Sequence, residues 1–483
     1  MRTLIRGSWI VGFDGREHRL VKDGVVVYED NRIAYVGKSY NGDVDEVMNA
    51  KGRLVIPGLV NIHAVSSICI VHFRIDGVGV RESSSPNLSV HERIRNPQVT
   101  LTGEDLRTSA EFCFAELLKG GATTIGEITA FGTTGIQPPI EQAKTFVEMA
   151  GKLGARAYIS HPYTDMKKYS DEEGTQYHYA REAGLRALGD AVKFCKDNEG
   201  IYEDRVKTML FPYMFDACSE ELLRETRKKA DELEVPIHMH TAQYLPEFYE
   251  SIRRYGKTPV HFLHDIDFLK PKTILTHLLF TSYNPVSQAP NSTVRDPRDI
   301  EILAKTGTTL GHTPAVWARV GLSLQSYAKF RDSGVNIAIG TDSYPMDMLM
   351  EMRYAAIMGK IAERNRAAVT AKDVFNAATL GGAKALGRND LGRLSPGAKA
   401  DVVIVDLTGL HTALTHDPIK TMVYFASQRD VETVIIDGKK VVDNGKIPGL
   451  NEEKLARKAD EVNQRWVKST GMKYPPSFKE WSN

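Results

Sequence analysis

Short apolar runs recur along the whole chain, but the segments between them change in character near residue 55. Before that point, β-branched and aromatic residues fall into three runs broken by Gly, Asp and Asn, which predicts short strands. From about Ile56 to Leu386, apolar runs of strand length alternate with stretches of helical length, for example VKTMLF and then SEELLRETRKKADELE. This alternation predicts parallel strands joined by right-handed crossovers. The number of units favours a closed (β/α)₈ barrel over a smaller open sheet.

Strand-like runs return near the C-terminal end of the chain, in ADVVIVDL, VETVIIDGK and KVVDNGK. The DG and NG pairs between them are typical of hairpin turns. These strands match the first ones in character, so the simplest arrangement joins both ends of the chain in one small β-sandwich. We therefore predict an α/β protein with a sandwich from residues 1–55 and 391–450, a barrel over 56–390, and a helix and tail over 451–483.

Composition adds mainly exclusions. The 483 residues are 42% hydrophobic and 25% charged with a formal net charge of +1, which suits a globular protein and indicates neither a nucleic-acid nor a membrane partner. The four cysteines form no CxxC pair and are expected to be reduced, buried thiols. There is no apolar run of membrane-spanning length and no leader-like N-terminus, so a cytoplasmic location is expected.

The candidate catalytic residues are polar residues that end apolar strands, because the catalytic groups of a barrel lie at the C-terminal ends of its strands. His63 ends VIPGLVNIH, His238 and His240 end VPIHMH, His277 ends KTILTH, and Asp342 ends VNIAIGTD. A lone histidine in such a place is more often structural, and Asp342 could simply cap a helix. A set of this kind at one barrel mouth instead favours a shared metal site, because imidazole and carboxylate are the usual zinc ligands.

These segments resemble the metal-dependent amidohydrolases, in the branch that holds triazine hydrolases, cytosine and guanine deaminases and adenosylhomocysteine deaminase. The resemblance covers nearly the whole chain in the right order. It rests on VIPGLVNIH at 55–63, GGATTI at 120–125, LFPY at 210–213, HMHTAQ at 238–243, GKTPVHFL at 256–263, KTGTTLGHTP at 305–314, GTDS at 340–343 and GRLSPGAKADVVIVD at 392–406.

The resemblance implies a role for each strand-end residue. His63, His240, His277 and Asp342 would hold one divalent ion, with zinc expected first and iron, cobalt or manganese as alternatives. Asp342 would also act as base, and His277 would polarise the substrate. Relatives are usually dimers or tetramers, so a homo-oligomer is expected, with a small molecule as the other partner.

The chain departs from the family pattern at three positions. The second histidine of the strand-1 pair is replaced by Val65, which cannot bind a metal. The strand-5 glutamate is replaced by Gln243, and an amide can orient a substrate but cannot shuttle protons. Tyr213 stands where relatives carry a substrate-binding histidine. Weaker metal binding is therefore expected, and deamination of a nucleobase is disfavoured.

The pocket residues and the altered site together give the functional prediction. His312, Tyr213, Trp317 and Phe73 are predicted to line the pocket, and Gln243 is placed among the catalytic residues with Asp342 and His277. The predicted activity is metal-dependent hydrolysis of a C–N bond, or a related C–S or C–Cl bond, in an amide, urea, carbamate or ring compound. By analogy, phenylurea and molinate hydrolases also have an altered strand-1 pair.

Two alternatives to a metal hydrolase stay open. One is a metal-free lyase, isomerase or hydrolase that uses Asp342 and His277 as an acid–base pair. The other is a non-catalytic subunit, because loss of the histidine at Val65 and the glutamate at Gln243 together resembles a decaying active site.

Overall fold

The strands of the described residues pair into four sheets: one of seven strands, two of four strands and one of two strands. In the computed structural model, the described residues are 1–71, 101–129, 136–171, 174–285 and 298–470. The strands are β1 (Arg2–Phe13), β2 (His18–Glu29), β3 (Arg32–Gly37), β4 (Glu46–Pro57), β5 (Leu59–Ala64), β6 (Ala122–Glu127), β7 (Arg156–Ser160), β8 (Met166–Asp171), β9 (Gly174–Tyr179), β10 (Val206–Met209), β11 (Ile237–Thr241), β12 (Thr273–His277), β13 (Thr309–His312), β14 (Asn336–Ile339), β15 (Val402–Asp406), β16 (Val431–Ile436) and β17 (Lys439–Val442).

Helices separate most of the strands from β5 to β14, as the alternating sequence pattern predicts. They are α1 (Gly103–Lys119), α2 (Ile140–Leu153), α3 (Arg181–Asn198), α4 (Glu220–Leu233), α5 (Leu245–Tyr255), α6 (Pro259–Asp265), α7 (Asp299–Thr306), α8 (Pro314–Ala318), α9 (Tyr327–Asp332), α10 (Met348–Glu363), α11 (Ala371–Asn376), α12 (Gly382–Ala385), α13 (Pro418–Phe425) and α14 (Glu452–Thr470). None of these described helices has the length and apolar character needed to cross a membrane.

Two four-stranded parallel sheets, in the orders β10-β7-β6-β5 and β11-β12-β13-β14, carry the strand ends of interest. Backbone hydrogen bonds join them at both seams. At one seam Val65 N donates to Asp342 O and Asp342 N donates to His63 O, both at 2.8 Å. At the other, His238 N donates to Leu210 O at 2.9 Å. The C-terminal ends of β5, β11, β12 and β14 are therefore brought to one end of the two sheets.

Both ends of the chain contribute to a seven-stranded sheet with the order β17-β16-β15-β4-β1-β2-β3. Strands β1 and β4 are parallel, and the remaining pairs are antiparallel. At the β3 edge, Ile33 N donates to Ala398 O and Gly397 N donates to Ile33 O, both at 2.8 Å. The described residues thus form one mixed sheet from both chain ends, and the predicted division into a two-layer sandwich stays a prediction.

A buried ion network joins this sheet to β7. The Arg156 guanidinium lies 3.2 Å from Asp401 Oδ1 and 2.8 Å from Asp437 Oδ1. Lys399 Nζ lies 3.0 Å from the same Asp437 oxygen. All four side chains are buried, so each charge depends on its partners rather than on water.

The four cysteines, Cys69, Cys113, Cys195 and Cys218, are free and buried, as the sequence predicts. Burial raises the pKa of the Cys113, Cys195 and Cys218 thiols above its usual range, because the thiolate form would lose its hydration. These groups therefore behave as core residues rather than nucleophiles.

Candidate metal centre

Three predicted histidines meet at the C-terminal ends of their strands. One ring nitrogen from each of His63, His240 and His277 lies within 4.8 Å of the others, and all three side chains are buried. Asp342 Oδ2 lies 3.5 Å from His63 Nε2 and 3.8 Å from His277 Nε2. The structure therefore brings together the four residues that the sequence analysis assigned to a metal ion.

The backbone at these strand ends takes unusual conformations. His277 has φ 86°, Asp342 has φ 59°, and Ala242, just after β11, has φ 52°. Positive φ is uncommon outside glycine and costs about 1–3 kcal/mol at each such residue. Since two of these residues carry side chains of the cluster, the strand ends are bent in the conformation that turns those side chains toward one another.

His63 is held by a second histidine, His238, which lies on β11 of the other four-stranded sheet. Its Nδ1 lies 2.8 Å from His238 Nε2, which in turn lies 2.6 Å from Thr276 Oγ1. The pKa of His238 is well below its usual range, because the ring is buried and lies near the three other imidazoles. When the shared proton is on His63 Nδ1, the lone pair of His63 is at Nε2, on the side of Asp342.

The tautomer of His240 is settled by its partner. Its Nδ1 lies 2.7 Å from the backbone carbonyl of Tyr213, and a carbonyl can only accept a hydrogen bond. The proton of the neutral ring is therefore on Nδ1, which leaves the Nε2 lone pair available as a ligand. The Tyr213 ring itself packs edge-on against His240 with the centroids 5.2 Å apart.

His277 has different partners at Nδ1. The Trp317 indole Nε1–H donates to it at 2.9 Å, and Thr313 Oγ1 lies 3.1 Å away. The Trp317 and His277 rings meet edge to face, with centroids 5.0 Å apart. Trp317, predicted only as part of the pocket wall, therefore directs its polar edge at a residue of the cluster.

Val65 and Gln243, two of the three altered positions, are both buried. Val65 packs in an apolar cluster that also contains Tyr213 and Trp317, so the place of the missing imidazole is apolar. The Gln243 backbone N–H donates to Glu247 Oε2 at 2.8 Å, and its side-chain Nε2 donates to the Tyr244 hydroxyl at 3.3 Å. Gln243 therefore offers an amide, held by an aromatic neighbour, where its relatives are expected to offer a carboxylate.

His312 and Trp317 share a cavity beside the cluster, lined in addition by Leu279, Leu324, Tyr327 and Met358. Burial lowers the pKa of His312 to about 4, so its ring is neutral at physiological pH. Phe73, the remaining predicted pocket residue, lies outside the described residues.

Two buried glutamates near the strand ends were missed by the sequence analysis. Glu127 ends β6 and accepts backbone N–H groups from Ser66, at 3.2 Å, and Thr129, at 3.0 Å. Burial raises its pKa to about 8. Glu351 accepts the N–H of Ala315 at 3.0 Å, and burial raises its pKa well above the usual range. The strand-end rule that found His277 applies equally to Glu127 in GATTIGEI, whereas no such pattern marks Glu351 on α10.

A family model places this site in context. Residues 54–441 match the model of the amidohydrolase family. The chain belongs to this family. The match includes every described residue of the cluster, and the predicted branch is confirmed by the relatives that follow.

Relatives of this chain include deaminases. The chain is 31% identical to 5'-deoxyadenosine deaminase of Methanothermobacter thermautotrophicus over 462 residues, which is 95% of this chain and 97% of the relative. It is also 31% identical to 5-methylthioadenosine/S-adenosylhomocysteine deaminase of Thermococcus sibiricus over 447 residues, covering 92% and 94%. Deaminases hydrolyse C–N bonds other than peptide bonds, so the predicted enzyme class is confirmed.

A solved structure shows the same fold. Atrazine chlorohydrolase from Arthrobacter aurescens, crystallised with zinc, superposes with a TM-score of 0.79 over 95% of this chain and all of that one, at 22% identity. This likeness supports an α/β amidohydrolase fold of the TIM-barrel type, as the alternating pattern predicted.

Proposed function

We propose that the protein is a metal-dependent hydrolase that cleaves a C–N bond, or a related C–S or C–Cl bond, of a small molecule. The observation that carries this proposal is the buried meeting of three imidazoles with one carboxylate at the strand ends. Burying four polar side chains together costs desolvation free energy, so packing alone does not favour this arrangement.

The residues fit a divalent ion. His63 Nε2 is buried and, within the described part of the chain, has no hydrogen-bond partner, although Asp342 Oδ2 lies 3.5 Å away. His240 has its proton fixed on the opposite nitrogen, as a ligand requires. His63, His240, His277 and Asp342 are the candidate ligands, and zinc is the expected ion. When bound, such an ion lowers the pKa of a water molecule to near neutrality and so supplies hydroxide.

The chain's own residues divide the remaining work. Asp342, 3.5 Å and 3.8 Å from two imidazoles, is positioned to accept a proton from the attacking water. Gln243 orients the substrate through its amide, since it has no proton to shuttle. Trp317 and the neutral His312 line a mainly apolar cavity, and Tyr213 packs edge-on against His240, which favours an aromatic or ring-shaped substrate.

The substrate class remains a choice between two groups. The deaminases of adenosine-type nucleosides among the relatives support a purine amine. Gln243 in place of a carboxylate supports a substrate whose leaving group needs little protonation, such as a carbamate, urea or chloro-substituted ring. We favour the second group, because the deamination of a purine ring ordinarily requires a proton donor at the ring nitrogen.

We also propose the finer architecture. The hydrogen bonds at both seams support one closed (β/α)₈ barrel over residues 56–390, with residues 1–55 and 391–450 forming the small β domain and 451–483 a helix and tail. A cytoplasmic homo-oligomer stays a prediction.

The experiment combines metal analysis with turnover. The purified protein is assayed for bound metal, then tested on 5'-deoxyadenosine, 5-methylthioadenosine, a chlorotriazine, a phenylurea and a thiocarbamate before chelation, after chelation and after zinc return. We expect about one ion per chain, turnover of at least one compound that follows the metal, and loss of that turnover in Asp342→Asn.

Two results contradict the proposal. Full turnover in protein stripped of metal would establish the acid–base alternative. Absence of both metal uptake and turnover would establish the non-catalytic alternative.

A further inference from the structure

The indole of Trp317 fixes where the proton of His277 lies. An indole nitrogen can donate a hydrogen bond but cannot accept one. The atom that faces it at 2.9 Å, His277 Nδ1, must therefore carry a lone pair. The Thr313 hydroxyl, 3.1 Å from the same nitrogen, can donate or accept and so is compatible with this arrangement. The neutral ring then holds its proton on Nε2.

This arrangement is the reverse of that in His240. His240 donates from Nδ1 to a carbonyl and so presents a lone pair at Nε2, as a ligand must. His277 accepts at Nδ1 and so presents an N–H at Nε2, on the side where Asp342 Oδ2 lies 3.8 Å away. The two rings are nearly parallel, with centroids 5.3 Å apart. At Nε2, however, His240 presents a lone pair and His277 presents an N–H.

We propose that Trp317 is a positioning residue that holds His277 as its Nε2–H tautomer, so that His63, His240 and Asp342 bind the ion and His277 faces the substrate as a hydrogen-bond donor. The inference rests on the proposed function and narrows its ligand set from four residues to three.

The narrower set agrees with the loss of the second strand-1 histidine. Three protein ligands leave a position open for water at a catalytic zinc ion. With Val65 unable to bind and His277 held as a donor, the chain retains three ligands. A donor at His277 also provides an N–H at the reacting edge, which the amide of Gln243 alone would otherwise have to supply.

Packing keeps the indole in place. Trp317 is 5% exposed and meets Tyr244 edge to face, with ring centroids 5.6 Å apart. It lies on α8, whose first turn is fixed by the Ala315 N–H donating to the buried carboxylate of Glu351 at 3.0 Å. The hydrogen bond to His277 is thus set by the position of a helix and not by a freely rotating side chain.

X-ray absorption at the zinc edge provides the direct test, because it counts imidazole ligands without reference to turnover. We expect two imidazoles in the zinc-loaded protein. We also expect His277→Gln to keep its zinc affinity within about threefold, while His240→Gln loses roughly tenfold or more. Three imidazoles in the wild-type protein would overturn the inference.

Trp317→Phe isolates the N–H, since it keeps an aromatic ring of related shape. Without the indole donor, His277 Nδ1 can take the proton and donate to Thr313 Oγ1, which frees Nε2 to bind the ion. We expect the imidazole count to rise from two to three. Trp466→Phe is the matched control, because Trp466 is also 5% exposed but lies on α14. The number of imidazole ligands of zinc in this control should stay at two.

A second measurement separates this inference from the proposed function. Nitrogen-15 shifts of the imidazoles in metal-free protein report which nitrogen of His277 is protonated, and we expect Nε2 in the wild type and a shift toward Nδ1 in Trp317→Phe. If the protein takes up no ion, the proposed function fails while this measurement still decides the tautomer. An Nδ1 proton in the wild type, or no change in a folded Trp317→Phe, would overturn the role of Trp317.

Discussion

Val65 and Gln243 are two of the three side chains that depart from the family pattern, and each lacks a chemical function that the family residue has. Valine offers no lone pair, and the amide of Gln243 offers no exchangeable acidic proton near neutral pH. Neither change disturbs the packing, because Val65 lies in an apolar cluster and Gln243 is held by the Tyr244 hydroxyl. Each substitution can therefore be reversed singly.

Restoring a histidine at position 65 tests whether a ligand is missing there. Positions 63 and 65 are two residues apart and face the same side of an extended segment, so Val65→His should add an imidazole beside His63. We expect zinc affinity to rise by roughly tenfold or more, equivalent to about 1.4 kcal/mol per factor of ten. Competition with a chromogenic chelator measures this change.

The enlargement itself needs a control. Overpacking a buried position costs about 1–3 kcal/mol, so metal-free Val65→His should also unfold more easily. Val65→Leu adds comparable bulk without a ligand and should show the loss of stability without the gain in affinity. Equal zinc affinities in the two variants would contradict the prediction.

Gln243→Glu tests the missing proton shuttle. A positioned carboxylic acid contributes roughly 10²–10⁴-fold to proton transfer, so the variant should gain turnover on 5'-deoxyadenosine relative to the wild type. Because burial raises carboxyl pKa values, the new activity should persist to near-neutral pH and fall as the acid loses its proton. Ammonia release across a pH series measures this.

The gain from Gln243→Glu should appear in kcat more than in KM, since the carboxylate acts in the reaction rather than in binding. Gln243→Met is the control, because its side chain is similar in length but has no acidic group. If the glutamate variant is no better than the methionine variant, lack of a shuttle is not what separates this protein from its deaminase relatives.

At the scale of the element, the sequence pattern predicted the strands and their polar ends but not how the ends interact. The histidines and Asp342 could be placed because each directly follows an apolar run. The hydrogen bond from Trp317 to His277 could not, because it depends on how α8 packs across β12. A local rule finds residues on one strand end and cannot find partners supplied by a helix from elsewhere.

The region Ala371–Leu386 shows the same limit. The structure gives two short helices there, α11 and α12, separated by a wider π-type turn at Ala377–Gly381. A Cβ on Gly381 would lie 2.1 Å from Ile337 O, and one on Gly382 would lie 2.7 Å from the Val60 side chain. The helical segment therefore presses directly against two strands, a tertiary contact that helical periodicity does not reveal.

Glu127 at the end of β6 predicts a pH dependence of stability. Its pKa of about 8 in the folded protein exceeds the ordinary 4.5, because burial disfavours the charged form. Between these values the folded state binds a proton that the unfolded state has released, so this group lowers stability as pH rises, by at most about 1.4 kcal/mol per pH unit. Urea unfolding at pH 5 and pH 8 measures the change.

The variant Glu127→Gln keeps the shape and the acceptor oxygen for Ser66 and Thr129 but does not titrate. Its free energy of unfolding should fall less than that of the wild type between pH 5 and pH 8. Parallel curves for the two proteins would show that Glu127 is not protonated in the folded state.

At the scale of the whole molecule, the buried network of Arg156, Asp401, Asp437 and Lys399 connects β7 with the sheet formed by both chain ends. Removing Arg156 leaves the buried Asp401 carboxylate without its cation, while Asp437 keeps only Lys399. We expect Arg156→Met to lower the free energy of unfolding by about 3–5 kcal/mol, measured by urea denaturation.

An exposed ion pair provides the comparison. Arg107 lies 2.6 Å from Glu148 with both side chains nearly half exposed, so Arg107→Met should cost less than about 1 kcal/mol. Comparable losses in the two variants would mean that the network between the two parts of the molecule is no stronger than a surface pair.

The order of strands in the chain-end sheet has a consequence for biosynthesis. Strand β4 leaves the ribosome early, but its partner β15 follows only after all the strands of the two parallel sheets. At roughly 5–20 residues per second, the open edge of β4 waits for tens of seconds. An unpaired edge invites association with other chains, so the nascent protein should depend on chaperones during this interval. A premature stop before β15 should yield aggregates rather than a smaller folded enzyme.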